Sequence, residues 1–184
     1  MALLIFYLLF ALVTSFICSL VEAVLLSTSI SHLRIEEKNG NKNARSLLNL
    51  KQNIDKPLSA ILSLNTIAHT IGAAGVGAEV TKIFGDVYFG IASVILTLLI
   101  LIFTEIIPKT IGALYWKKLT TTTLLIINSM IFITYPIVIS LLFFSKLLSK
   151  GKKEFTTSRE EIFTLANIGA EEGIFDEKEN KIIQ

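Results

Sequence analysis

Residues 87–118 read VYFGIASVILTLLILIFTEIIPKTIGALYWKK. The stretch 87–104 carries no charge; Glu105, Pro108 and Lys109 follow, and Lys117 and Lys118 close it. An α-helix rises about 1.5 Å per residue and a bilayer's hydrocarbon core is about 30 Å thick, so this run is a transmembrane candidate. It does not end like a plain anchor. An acid inside a membrane is costly and points to function by default. Proline has no N–H, so Pro108 leaves the carbonyl of Thr104 without its usual donor, beside the carboxylate of Glu105. Irregular backbone at membrane depth is tolerated where it faces protein or lines a cavity.

Working outward, three more stretches are nearly charge-free: 2–31, which holds only Glu22, and 57–78 and 119–145, which hold no charge. Of the 184 residues, 52% are hydrophobic and 17% charged, with a mean hydropathy of +0.66. Soluble domains carry about 25% charged residues. The chain therefore reads as an all-α membrane protein, and a soluble enzyme or nucleic-acid binder is not expected. No nucleophile–base pair or phosphate loop is visible, so no enzyme chemistry is expected. The single cysteine, Cys18, excludes an internal disulfide framework. Residues 2–31 do not read as a cleaved signal peptide: they lack a basic start, run too long and carry an acid in their distal half.

Lysine and arginine near the segment ends predict the orientation. Arg34, Lys38, Lys42, Arg45, Lys51 and Lys56 follow the first segment, and Lys109, Lys117 and Lys118 follow the third, whereas Lys82 is the one base between the second and third. This places the N-terminus outside, 32–56 and 109–118 in the cytoplasm, and 79–86 outside. Residues 119–145 have lysines on both flanks and Pro136 within, so they are predicted to lie along the inner leaflet or dip and return. A fourth ordinary span is the alternative. Residues 32–56 read as helix–turn–helix, with Ser31 and Asn39-Gly40-Asn41 as cap and turn.

The chain divides into a transmembrane domain, 1–153, and an acidic cytosolic segment, 154–184. The latter has eight acids and three bases, a net −5 that leaves +7 on the first part. Thr157-Ser158 before Glu160-Glu161 is a helix-capping signature, and the segment looks cut before a further domain.

The polar residues inside the apolar runs fall on shared helix faces. Ser15, Ser19 and Glu22 are four and three apart, as are Asn65, His69 and Gly72. Gly72, Gly75 and Gly77 with neighbouring alanines form a small-residue surface suited to close helix approach. At about 1.5 Å per residue, Glu22 lies about 14 Å and Asn65 about 12 Å from the inner ends of their segments. Two carboxylates, a hydroxyl, an amide oxygen and a carbonyl could thus converge. Oxygen-only donors suit Mg²⁺, Ca²⁺ or Mn²⁺, with a proton-carrying acid as the competing chemistry. Each residue also has a plainer role: Glu22 as a hydrogen-bonded structural acid, Asn65 as helix–helix glue, His69 and Cys18 as packing residues, and the glycines as contact surface.

At these residues the chain resembles the transmembrane domain of the CorC/CNNM magnesium transporters, also known as hemolysin-related membrane proteins. Phe16-Ile17-Cys18-Ser19-Leu20-Val21-Glu22-Ala23 is similar to the family's serine-x-x-glutamate, Leu62-Ser63-Leu64-Asn65 to its second-helix motif, and Thr104-Glu105-Ile106-Ile107-Pro108-Lys109 to its third. Gly169-Ala170-Glu171-Glu172-Gly173-Ile174 is similar to the acidic bundle preceding a CBS pair.

The resemblance implies three transmembrane helices, a juxtamembrane helical pair and a belt-like non-spanning helix. It implies a homodimer in the plasma membrane that extrudes Mg²⁺ in exchange for inward Na⁺. It also implies Ser19, Asn65 and Glu105 as ion ligands, with Glu22 nearby and Thr104 beside the freed carbonyl. Ala23 and Thr104 depart from the threonine and glycine common in the family, and Thr104 narrows the space beside that carbonyl. Nucleotide would bind only through a CBS pair, which this chain does not contain. The rival reading is a membrane protein that senses Mg²⁺ or scaffolds a partner without moving ions; a membrane-damaging hemolysin is the weakest.

Overall fold

The computed structural model describes residues 1–148, and every regular element among them is helical. The order is α1 (Ala2–Ser27), α2 (Ile30–Lys38), α3 (Lys42–Gln52), α4 (Asp55–Phe84), a 3₁₀ turn (Asp86–Tyr88), α5 (Phe89–Leu99), a π-helical segment (Ile100–Ile106), α6 (Ile107–Ile133) and α7 (Tyr135–Leu148). Among the described residues three helical runs are long and apolar enough to cross a membrane: Ala2–Ser27, Asp55–Phe84 and Asp86–Ile133. The expected segment 154–184 lies outside the described residues.

α1 and α4 are the central pair, and small residues bring them together. A Cβ on Gly72 would strike the Cβ of Ala11, and one on Gly75 would strike the ring of Tyr7. The glycine series is thus a contact surface. α4 is longer than the charge-free stretch suggests. Glu79 was expected in a loop over 79–86, yet the helix continues to Phe84, with the Glu79 carboxylate at 14% exposure and 3.9 Å from Lys82, three residues on. The connection to α5 shrinks to Gly85, at φ +92°, and the 3₁₀ turn.

Between α1 and α4 the chain makes the expected helical pair. Asn41 caps α3, its side-chain oxygen accepting from the N–H groups of Asn43 (3.0 Å) and Ala44 (3.3 Å), directly after Gly40 at φ +87°. Ser31 is not a cap: α1 stops at Ser27, Thr28 turns the backbone to extended, and α2 begins at Ile30 with Ser29 as its flanking residue. Lys51 of α3 then docks the pair. Its ammonium donates to the carbonyls of Leu25 (3.0 Å), Leu26 (2.9 Å) and Thr28, the orphan acceptors at the C-terminus of α1. Burial pushes this ammonium below the ordinary lysine range, a cost set against three accepting carbonyls.

The third run bends. Tyr115 leaves helical geometry at φ −108°, ψ 17°, just before Lys117 and Lys118. Beyond the bend, Leu124, Ile127, Met130 and Ile131 pack with Cys18, Val21 and Leu25 of α1, with Leu47 and Leu48 of α3 and with Ala60 and Ile61 of α4. After the break at Thr134, Val138 and Leu142 of α7 join the same cluster. No member comes from the first half of α1 or the second half of α4. Residues 116–142 therefore pack at the end of the bundle where α1 finishes.

Candidate ion-binding site

The polar residues of α1, α4 and the third run meet along one path of contacts. Ser15 donates its hydroxyl to Asn65 Oδ1 at 2.6 Å, and lies 2.5 Å from His69 Nε2. Asn65 Nδ2 faces Glu105 Oε1 at 3.5 Å, the outer limit of a hydrogen bond. Glu105 Oε2 accepts from the Lys109 ammonium at 2.8 Å, and Lys109 reaches Glu22 Oε2 at 3.5 Å. The path leaves α1 at Ser15 and returns to it at Glu22, seven residues or about 10 Å further on.

Ser19 lies on the stretch of α1 that this path spans, on the face that carries Ser15 and Glu22. It is fully buried, and its hydroxyl is the one buried side-chain polar atom without a hydrogen-bond partner among the described residues. Buried hydroxyls are normally satisfied, and leaving one unpaired costs about 1–3 kcal/mol. A cation accepting its lone pair would remove that cost.

The depths are not those read from the charge-free stretches. With α1 ending at Ser27, Glu22 is about 7 Å from the helix end, and with α4 starting at Asp55, Asn65 is about 15 Å in. The two are not level. Lys109, one turn after Glu105, bridges the offset.

The segment carrying Glu105 is π-helical over Ile100–Ile106, and the Ile107 N–H bonds to Ile102 O, five residues back. Pro108 then stands at the start of the regular helix with no N–H of its own, so the backbone ladder is open at this junction. Thr104 is fully buried, and its hydroxyl donates to Ile100 O at 2.8 Å within its own helix. Its side chain makes no hydrogen bond to Ser19, Asn65 or Glu105.

α6 is pinned to α1 beside this site. A Cβ on Gly112 would lie 2.7 Å from Ala23 Cβ and 2.8 Å from Leu20 O, so the helices touch backbone to backbone next to Glu22. Pro108, fully buried, packs one turn before.

Three of the residues singled out from sequence, Asn65, Glu105 and Glu22, join one contact path, and Ser19 lies in the gap it brackets. Two members escaped that reading. Lys109 was read as a rim cation fixing orientation, and His69 as a packing residue. The spacing Glu105–Lys109 (i, i+4) was the available signal for the first. His69 is four residues after Asn65, and its bond to Ser15 required the pairing of α1 with α4. Among the described residues no cluster of three or more His, Cys, Asp or Glu side chains forms.

Half-buried carboxylates among three helical runs long and apolar enough to cross a membrane define a multi-pass membrane protein with a polar site between its helices. The chain belongs to the cyclin M (CNNM) transmembrane N-terminal domain family, whose profile matches residues 5–179. It is similar to a UPF0053 protein of Synechocystis, 33% identical over 173 residues, covering 94% of this chain and 50% of the relative. A UPF0053 protein of Haemophilus influenzae is 33% identical over 125 residues, 68% of this chain and 30% of the relative. The UPF0053 inner membrane protein YfjD of Escherichia coli is 31% identical over 97 residues, 53% of this chain and 23% of the relative. The chain thus spans half or less of the length of these relatives.

Proposed function

We propose that this chain is the membrane domain of a Mg²⁺ transporter, in which Ser19, Asn65 and Glu105, with Glu22 close by, receive the ion and inward Na⁺ drives its exit from the cytoplasm. The observation that carries the reading is the orphaned, fully buried Ser19 hydroxyl within the path running Ser15–Asn65–Glu105–Lys109–Glu22. Mg²⁺ dehydrates reluctantly and demands near-octahedral oxygen geometry at about 2.0–2.1 Å. Several protein oxygens must converge to offset its lost hydration, and two carboxylates balance its charge in a low-dielectric setting. The π-helical turn aims the Glu105 carboxylate toward α4, as irregular turns often do at functional sites. The protein works in the plasma membrane as a homodimer with its N-terminus outside.

The small-residue contacts support alternating access. α1 and α4 meet through glycine and alanine, and α1 and α6 through Gly112. Contacts with few interlocking side chains allow helices to slide or rock while the polar residues exchange partners.

The test is flux. Purified protein in liposomes, with a Na⁺ gradient and a Mg²⁺-sensitive dye, is expected to move Mg²⁺ against the direction of Na⁺ at a rate proportional to protein. Mg²⁺ binding without any flux would replace transport with sensing or scaffolding.

A further inference from the structure

Lys109 is the member of the path that no ion-ligand role explains. Its ammonium reaches both carboxylates, Glu105 at 2.8 Å and Glu22 at 3.5 Å, and so occupies the electrostatic position a bound cation would need. The two acids are mostly shielded, at 26% and 18% side-chain exposure, whereas Lys109 is 45% exposed. The carboxylates are held in place; the ammonium has water on one side and a long flexible stem.

We propose that Lys109 is a tethered counter-ion that sets the charge the site presents: net −1 with the ammonium between Glu22 and Glu105, which matches a monovalent cation, and net −2 with the ammonium withdrawn to water, which matches a divalent one. The inference rests on the proposed ion site and adds its switch. A divalent ion competes for the carboxylates with twice the charge of the ammonium, so it can displace Lys109. A monovalent ion has no such advantage. When the divalent ion leaves, the tethered ammonium returns at a high effective concentration and keeps the acids neutralised while the site is empty. Position supports the role. Lys109 follows Pro108 and the π-helical segment, where the backbone ladder is already interrupted, and its long stem lets the ammonium swing while the helix stays pinned at Gly112.

A purely structural ion pair makes the opposite prediction. Removing the ammonium would leave two unbalanced carboxylates, loosen the packing and weaken ion binding or leave it unchanged. Calorimetric Mg²⁺ titration of Lys109→Gln in detergent separates the two. The expected result is an affinity increase of about tenfold or more, because one unit positive charge has left the immediate surroundings of the ion, with Lys109→Arg staying close to the wild type. Unchanged or weaker Mg²⁺ binding in Lys109→Gln overturns the proposal.

A second measurement needs no variant. Acylation of lysines by an amine-reactive reagent, read by peptide mass spectrometry, is expected to speed up severalfold at Lys109 when Mg²⁺ saturates, with Lys117 and Lys118 unaffected. A Lys109 rate indifferent to Mg²⁺ also overturns it. Absence of any Mg²⁺ binding by the wild type would instead reject the ion site itself.

Discussion

Glu105→Gln is expected to weaken Mg²⁺ binding by more than about 100-fold while the protein stays folded, a loss beyond the 10–100-fold typical of groups that only support a metal ligand. The substitution keeps the shape of the side chain and its capacity to meet Asn65 Nδ2, now 3.5 Å from Glu105 Oε1. What it removes is the negative charge that lies 2.8 Å from the Lys109 ammonium and that a divalent ion would require. Lys109 retains Glu22 at 3.5 Å, so the variant leaves no cation unpaired in the bundle. The measurement is a Mg²⁺ titration by calorimetry, with thermal unfolding as the control for folding. Wild-type affinity in a folded Glu105→Gln protein would remove Glu105 from the site.

The second large effect arises from a residue with no side chain at all. Gly112→Ala is expected to destabilise the protein by about 1–3 kcal/mol, the range for overpacking a tight contact. Helix propensity alone predicts the reverse sign, since alanine is favoured over glycine inside a helix by about 1 kcal/mol. Packing wins because the added methyl meets the Leu20 carbonyl at 2.8 Å and the Val24 N at 3.2 Å, and backbone atoms cannot swing aside as a side chain can. α6 must then move off α1. Since Gly112 touches Ala23, next to Glu22, and lies three residues after Lys109, the shift also separates Lys109 from Glu22 and weakens Mg²⁺ binding, although glycine supplies no ligand. A lowered unfolding temperature together with weaker Mg²⁺ titration is the expected pair of results. A rise in unfolding temperature would mean that the contact is loose.

Much of this architecture is written in charge and hydrophobicity. The apolar runs around Ser19, Asn65 and Glu105 specify three helices by length, and Asn39-Gly40-Asn41 specifies the turn between α2 and α3 by its chemistry. The lysines flanking 119–145 anticipated a chain that stays at one end of the bundle, and the burial of Ile127 and Val138 in one cluster agrees with them.

The features that escaped are those that need a neighbour. Glu79 reads as a loop residue until its helix is known to continue and Lys82 to come within reach. A π-helical register has no sequence period of its own, so the segment Ile100–Ile106 was not foreseen. Lys51 counts as a rim cation in sequence; only the folding of α3 against the end of α1 gives it three carbonyls to cap. The partners of Lys109 were hidden for the same reason. Charge counting assigns a lysine to one side of a membrane but not to the acid it will meet.

The central claim is that oxygens of Ser19, Asn65 and Glu105 close around one cation. An experimental structure determined with Mg²⁺ tests it most directly. The expected result is density coordinated by the Ser19 hydroxyl, the Asn65 amide oxygen and the Glu105 carboxylate at about 2.0–2.1 Å within roughly six oxygens, with the Lys109 ammonium moved away from Glu105. An ion bound elsewhere, with the Ser19 hydroxyl still unpartnered and Lys109 still seated between Glu22 and Glu105, would contradict it.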